Sequence, residues 1–306
     1  MQLRIGVVVA VLLCFTAGAE TVRGTPIRVC SIYLSPDITS NKLADIDRGR
    51  EVVILESNRD WLHVEAALTE EKVVTGWMLN KGVVQGSTPD GDKIVFGEGV
   101  DSEDQASQRH GRRGAAQDAM RLYYRTAEYF PNSPLAAEGM YRSADIRWQI
   151  DKADVMSRPS AKEKEAYLRE GMPEDFMKEV IKKFPGTKWA DLAAFHLIEN
   201  KLCGDWQGSS KCPDKEAEMY EKYVADHPQS PALVEALYDA ASRRAALIEM
   251  YKTDGQNKKS DESRVKAIAL AQKAVAQGPQ SDWGTRAQLL LFMIEQGIPT
   301  YGNGGN

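Results

Sequence analysis

The feature that most restricts the fold of this 306-residue chain is a fourfold recurrence of Pro-x-Ser/Thr between residues 131 and 281. Pro131 precedes Ser133, Pro185 precedes Thr187, Pro228 precedes Ser230 and Pro279 precedes Ser281, at spacings of 54, 43 and 51 residues. The flanks keep the same register. Eight residues after each proline stands a small residue: Gly139, Ala193, Ala236 and Ala287. Ten after stands a large apolar one: Tyr141, Phe195, Tyr238 and Leu289. Four before come Ala127, Ile181, Val224 and Val275, and nine before come Leu122, Phe176, Met219 and Leu270. Proline discourages helical backbone at the residue before it. A Ser or Thr two positions later is placed to cap the next helix. Small positions facing large ones let two helices approach and interlock. Each copy therefore reads as helix, tight corner, helix, and four corners predict about eight helices over residues 115–298. Loops over "DKADVMSRPSAKEKEAYLREG" and "YKTDGQNKKSDES" interrupt the pattern.

"YFPNSPLAAEGMY" at 129–141 and "HPQSPALVEALY" at 227–238 resemble the corners of tetratricopeptide-type arrays. "FPGTKWADLAAF" fits less closely, and "GPQSDWGTRAQL" lacks the aromatic before its proline. The pattern is most similar to the envelope subclass with a Y-P-x-S-x-x-A corner, found in the TolA-binding protein and the outer-membrane assembly lipoprotein. The resemblance implies an α-solenoid that binds proteins.

Residues 26–85 follow a different period. "IRVCSIYL", "EVVILES", "WLHVEAA" and "KVVTGWML" are short β-branched and aromatic runs separated by polar turns, the pattern of a small barrel. Tyr33-Leu34, Ser35-Pro36, Gly49, Val52, Ile54, Trp61, Val64 and Gly76-Trp77 stand in the order of a bacterial SH3-like domain, which this stretch resembles over about sixty residues. The first loop lacks that family's Asn-Val-Arg, and "EAALTEEKVVT" lengthens one hairpin. The resemblance implies cell-wall glycan or peptide binding, or a spacer role. The simplest reading makes Trp61 and Trp77 core residues; the alternative lines a ligand groove with Tyr33, Trp61 and Trp77.

The chain opens with Arg4, an apolar run from Ile5 to Phe15 and Ala17-Gly18-Ala19. This reads as a secretory signal peptide cleaved after Ala19. The run is short for a bilayer core of about 30 Å, and no later stretch is long and apolar enough to span one. An exported location, periplasmic or secreted, allows Cys203 and Cys212 to form a disulfide around "GDWQGSSK". Trp206 inside that loop is a further exposed aromatic candidate, and Cys30 reads as a small buried hydrophobe. The formal net charge of −5 argues against a nucleic-acid binder.

Residues 86–114, rich in Gly, Ser, Asp and Arg, read as a linker, and 299–306 as a flexible tail. No H-E-x-x-H, G-x-S-x-G or phosphate-loop motif occurs. His196 and His227 read as packing residues, and the Glu216–Glu218 pair as a solvated helix face. The expected organisation is a signal peptide (1–19), an SH3-like β-barrel (20–85), a linker (86–114), a TPR-like α-solenoid (115–298) and a tail. The expected role is a non-enzymatic envelope scaffold with protein partners and peptidoglycan as a second ligand, without cofactor, metal or nucleic acid. The alternatives are a peptidoglycan-acting enzyme or its accessory, and a barrel that serves only as a spacer.

Overall fold

A computed structural model describes residues 22–163, 168–204 and 206–302. The expected signal peptide lies outside the described residues. The chain divides into two compact units, residues 1–86 and 87–306.

In the first unit seven antiparallel strands form one sheet: β1 (Arg23–Pro26), β2 (Cys30–Tyr33), β3 (Lys42–Ile46), β4 (Val52–Asn58), β5 (Trp61–Ala67), β6 (Val73–Leu79) and β7 (Val83–Gln85). Their order is β3-β2-β6-β5-β4-β1-β7. Alternation along β5 buries Leu62, Val64 and Ala66. These side chains meet Ile32, Ile46, Val52 and Met78 to form the core of this unit. Trp61 and Trp77 are not in that core. The period-2 rule turns them to the opposite face, because their neighbours Leu62 and Met78 point inward. Cys30 is half-buried, packs against the core, and burial pushes its thiol pKa up.

The second unit is helical: α1 (Gly91–Ser107), α2 (Ala115–Tyr129), α3 (Ala136–Ser157), α4 (Asp175–Lys183), α5 (Lys188–Glu199), α6 (Lys211–Asp226), α7 (Leu233–Thr253), α8 (Asn257–Gln277) and α9 (Asp282–Glu295). The four proline corners separate α2 from α3, α4 from α5, α6 from α7 and α8 from α9. The residue before each proline has nearly the same backbone. Phe130 and His227 have φ −128° and ψ 59°, Phe184 has −128° and 52°, and Gly278 has −148° and 63°. Each still donates its N–H to the carbonyl four residues back. The helix thus completes its last bond and then leaves the helical region where proline forbids it.

The capping expectation holds for two corners and fails for two. Thr187 accepts from the Ala190 N–H at 3.2 Å and Ser281 from the Gly284 N–H at 3.0 Å, as N-caps. Ser133 and Ser230 are instead followed by Pro134 and Pro231. Their hydroxyls accept from the N–H two residues on, Leu135 and Ala232, both at 3.1 Å. The next helix then starts only at Ala136 or Leu233. The Ser133 hydroxyl also donates to Asp92 on α1 at 2.6 Å, which holds that carboxyl below its ordinary pKa.

Most of the expected linker is helix. Gly91, Val95, Gly99 and Ser102 recur at helical spacing along α1 and are buried. This stripe packs against α2, where the Phe96 and Tyr123 rings lie 5.1 Å apart. The Tyr123 hydroxyl donates to Glu103 at 2.5 Å, and Arg142 donates to Glu103 at 2.9 Å. Burial pushes the Tyr123 phenol pKa up. Tertiary packing here overrides a glycine-rich composition. The two expected loops are also shorter. α3 continues to Ser157 and is followed by a 3-10 turn over Pro159–Lys162, and only residues 254–256 separate α7 from α8. Buried Ser260 donates to the Ile248 carbonyl at 2.8 Å, which draws the start of α8 onto α7.

The small position eight residues past each proline is buried in all four copies. A Cβ on Gly139 would lie 2.8 Å from the Tyr123 backbone oxygen, so its absence lets α2 and α3 approach closely there. Gly139→Ala gains helix propensity of about 1 kcal/mol but forces two backbones apart. We expect net destabilisation of about 1–3 kcal/mol, seen as a lower thermal unfolding midpoint; an unchanged or raised midpoint contradicts this packing.

Candidate functional site

Cross-strand register assembles a group of rings on the outer face of the sheet. Tyr33 on β2 pairs with Trp77 on β6, and Trp77 pairs with His63 on β5. The His63 ring stacks on Trp77 at 4.8 Å with 25° between planes. The Tyr33 and Trp61 rings meet edge to face at 5.9 Å. All four are half-buried. Gly76 makes this possible, since a Cβ there would lie 2.6 Å from the Tyr33 carbonyl oxygen; its absence lets β2 lie close beside β6. Glu65 and Thr75 pair on the same face, and Leu79 pairs with Trp61. The surface is thus aromatic with polar neighbours, suited to stacking on a sugar ring or a proline-rich segment. Sequence reasoning listed Tyr33, Trp61 and Trp77, and the structure brings all three together. It missed His63, which the alternation Trp61-x-His63 signals.

In the helical unit a cleft of about 170 Å³ lies between α2, α3 and α4. Its wall includes Arg121, Tyr124, Arg125, Arg147 and Phe176. The Arg147 guanidinium sits 5.2 Å from the Phe176 ring centre, and Arg125 sits 5.6 Å from that of Tyr124. Phe176 is the exposed member of its repeat position, whereas Leu122 in the first copy is fully buried. Residue type gave no signal of this, since Leu122, Phe176, Met219 and Leu270 are all large and apolar.

The Cys203–Cys212 disulfide is formed, with a Cα–Cα distance of 6.1 Å. Trp206 is not the exposed platform expected. It is half-buried against Ala246, Leu247, Met250 and Tyr251, and its indole donates to Glu216 at 3.2 Å. Glu216, expected on a solvated face, is only 1% exposed. It also accepts from the Cys203 N–H at 2.8 Å and from Arg243 at 3.2 Å. Arg243 pairs in addition with Asp239, whose carboxyl burial pushes up despite the nearby guanidinium. Next along α7, buried Arg244 pairs with Glu221 and Asp214. These pairs clamp α6 to α7. Tyr301, in the expected flexible tail, packs on Trp206 at 5.8 Å between ring centres, and its hydroxyl accepts from the Gly208 N–H at 2.8 Å.

The two histidines of the array do pack. His196 lies against Tyr141 and Trp148, and burial pushes its pKa down. The His227 Nδ1 is 2.7 Å from Asp191, and its ring lies 4.6 Å from that of Tyr223. Burial pushes the Tyr223 phenol up to about 12.

No family model matches the sequence, and no curated protein does. Among solved structures, "MamA RS-1 ArsTM double mutant" matches at 15% identity with a TM-score of 0.32, over 69% of this chain and 96% of that one. "DHF58 filament" matches at 13% identity and TM-score 0.23, over 67% and 91%. The de novo designed helical repeat protein DHR64 matches at 14% and 0.20, over 68% and 94%. At such scores the repeat assignment rests on the four corners of this chain. No helix among the described residues is long and apolar enough to cross a membrane.

Glu216 is the buried anchor of the disulfide loop. Glu216→Ala strips Arg243 of one carboxylate and leaves two N–H donors without an acceptor. We expect a loss of about 3 kcal/mol, measured by chemical denaturation; a loss below about 0.5 kcal/mol, the level of an exposed substitution, contradicts the anchoring role.

Proposed function

We propose that this chain is an exported, non-enzymatic scaffold of the bacterial envelope. An SH3-like module engages cell wall or a protein, and a TPR-like array holds a protein partner. The observation that carries the reading is the outward group of Tyr33, Trp61, His63 and Trp77. A small domain gains most from its aromatics by burying them; four rings on the outer face leave apolar surface for a ligand. The Arg- and aromatic-lined cleft between α2, α3 and α4 supports protein binding by the array, since Arg and Tyr are enriched where proteins bind. The signal-like N-terminus and the disulfide support export to an oxidising compartment.

The test uses the full mature chain in sacculus co-sedimentation, beside a pull-down from cross-linked envelopes. We expect retention on sacculi, and a loss of at least tenfold for Trp61→Ala/Trp77→Ala with an unchanged circular dichroism spectrum. A recovered protein partner that is lost with the same variant supports the protein-binding form of the module. Recovery of neither peptidoglycan nor a partner overturns the proposal, and release of labelled fragments from sacculi replaces it with the peptidoglycan-acting enzyme.

A further inference from the structure

The cleft between α2, α3 and α4 gathers guanidiniums without acids. Arg121 and Arg125 on α2 and Arg147 on α3 line it beside Tyr124 and Phe176, and no carboxylate among the described residues lines it. The acids that hold these arginines are Asp118, Glu128 and Asp151, each on the same helix as its arginine and outside the lining. Asp118, with 5% of its side chain exposed, serves Arg112 as well as Arg121. These acids set the arginines in place and leave the lining itself cationic. On a chain of net charge −5 that lining is selective for an acidic ligand.

Arg147 shows what the cleft can take. Its Nε donates to both Asp151 oxygens, at 2.8 and 3.0 Å. Its two terminal amino groups have no hydrogen-bond partner among the described residues. The guanidinium lies 5.2 Å from the Phe176 ring centre. Stacking on a ring fixes the plane of a guanidinium and leaves its N–H fork open. A carboxylate accepts two such N–H groups at once. Phe176 keeps 36% of its surface exposed beside that fork. A ligand that matches both features carries a carboxylate with an apolar side chain next to it. A bare phosphate matches the guanidiniums but leaves Phe176 and Tyr124 uncovered.

We propose that this cleft binds an acidic segment of a partner protein, with an Asp or Glu on Arg147 and a neighbouring apolar side chain against Phe176 and Tyr124. The inference rests on the reading that the array holds a protein, and it names the chemistry of the segment held.

The test is selection from a random-peptide display library on the immobilised full mature chain, followed by titration of the enriched peptides by fluorescence anisotropy. We expect peptides with an Asp or Glu adjacent to a Phe, Leu or Met, and binding weakened about tenfold or more in Arg147→Gln. Arg147→Lys keeps the charge but loses the fork, and should recover only part of that loss. Arg147 is partly exposed, so the helical circular dichroism of both variants should be unchanged. If it is not, added sodium chloride gives a second readout on the wild type, because salt screens a partly exposed ion pair and lowers the affinity. No enriched peptide, enriched peptides without an acidic residue, acidic peptides that bind Arg147→Gln equally well, or an affinity indifferent to salt overturns the proposal. Sacculi and the tryptophan variant play no part in this selection. Retention on sacculi without such peptides therefore removes this inference alone, whereas Arg147-dependent acidic peptides on a chain that recovers neither peptidoglycan nor an envelope partner support the cleft and remove the envelope reading.

Discussion

The constraint on which the helical unit depends is steric: a proline ring excludes the helical conformation from the residue before it. At Phe130, Phe184, His227 and Gly278 the chain makes its last helical hydrogen bond and then turns. Everything downstream is placed by that turn. The small residue eight positions on arrives against the preceding helix, and in the first three copies the large residue ten positions on reaches a later one. Repetition then does what a single helical hairpin cannot. Each pair leaves an apolar face uncovered, and stacking the next pair covers it.

The charged network of α6 and α7 acts on this frame in a different way. Glu216, Arg243 and Asp239 are too buried to be worth much as an ion pair alone, because desolvation offsets their attraction. Their value is positional. One carboxylate fixes the first half-cystine, the Trp206 indole and α7 together. The result is an ordered disulfide loop against which Tyr301 rests.

Much of this is legible in the amino-acid sequence. The strands over 52–58, 61–67 and 73–79 follow from their β-branched residues, and the corners follow from proline and its neighbours. β3 escaped because Lys42–Ile46 carries only two large apolar residues and takes its stability from pairing with β2. α1 escaped because its buried stripe is Gly, Val, Gly and Ser, which shows periodicity without hydrophobicity. The second prolines, Pro134 and Pro231, were visible, but their effect on the serine hydroxyl depends on geometry that residue type does not encode. On the sheet, strict alternation placed Trp61 and Trp77 outside against the expectation that a small domain hides its tryptophans. Glu216 illustrates the remaining gap, since nothing local to "KEAEMY" says that three donors converge on its first glutamate.

If four corners of one kind build the array, the residues before the four prolines must share one backbone conformation. Triple-resonance NMR shifts, or an experimental electron-density map, report φ and ψ at Phe130, Phe184, His227 and Gly278. At all four, φ should lie between about −128° and −148° and ψ between about 52° and 63°. Helical torsions continuing through any of them, or four unrelated conformations, would contradict it.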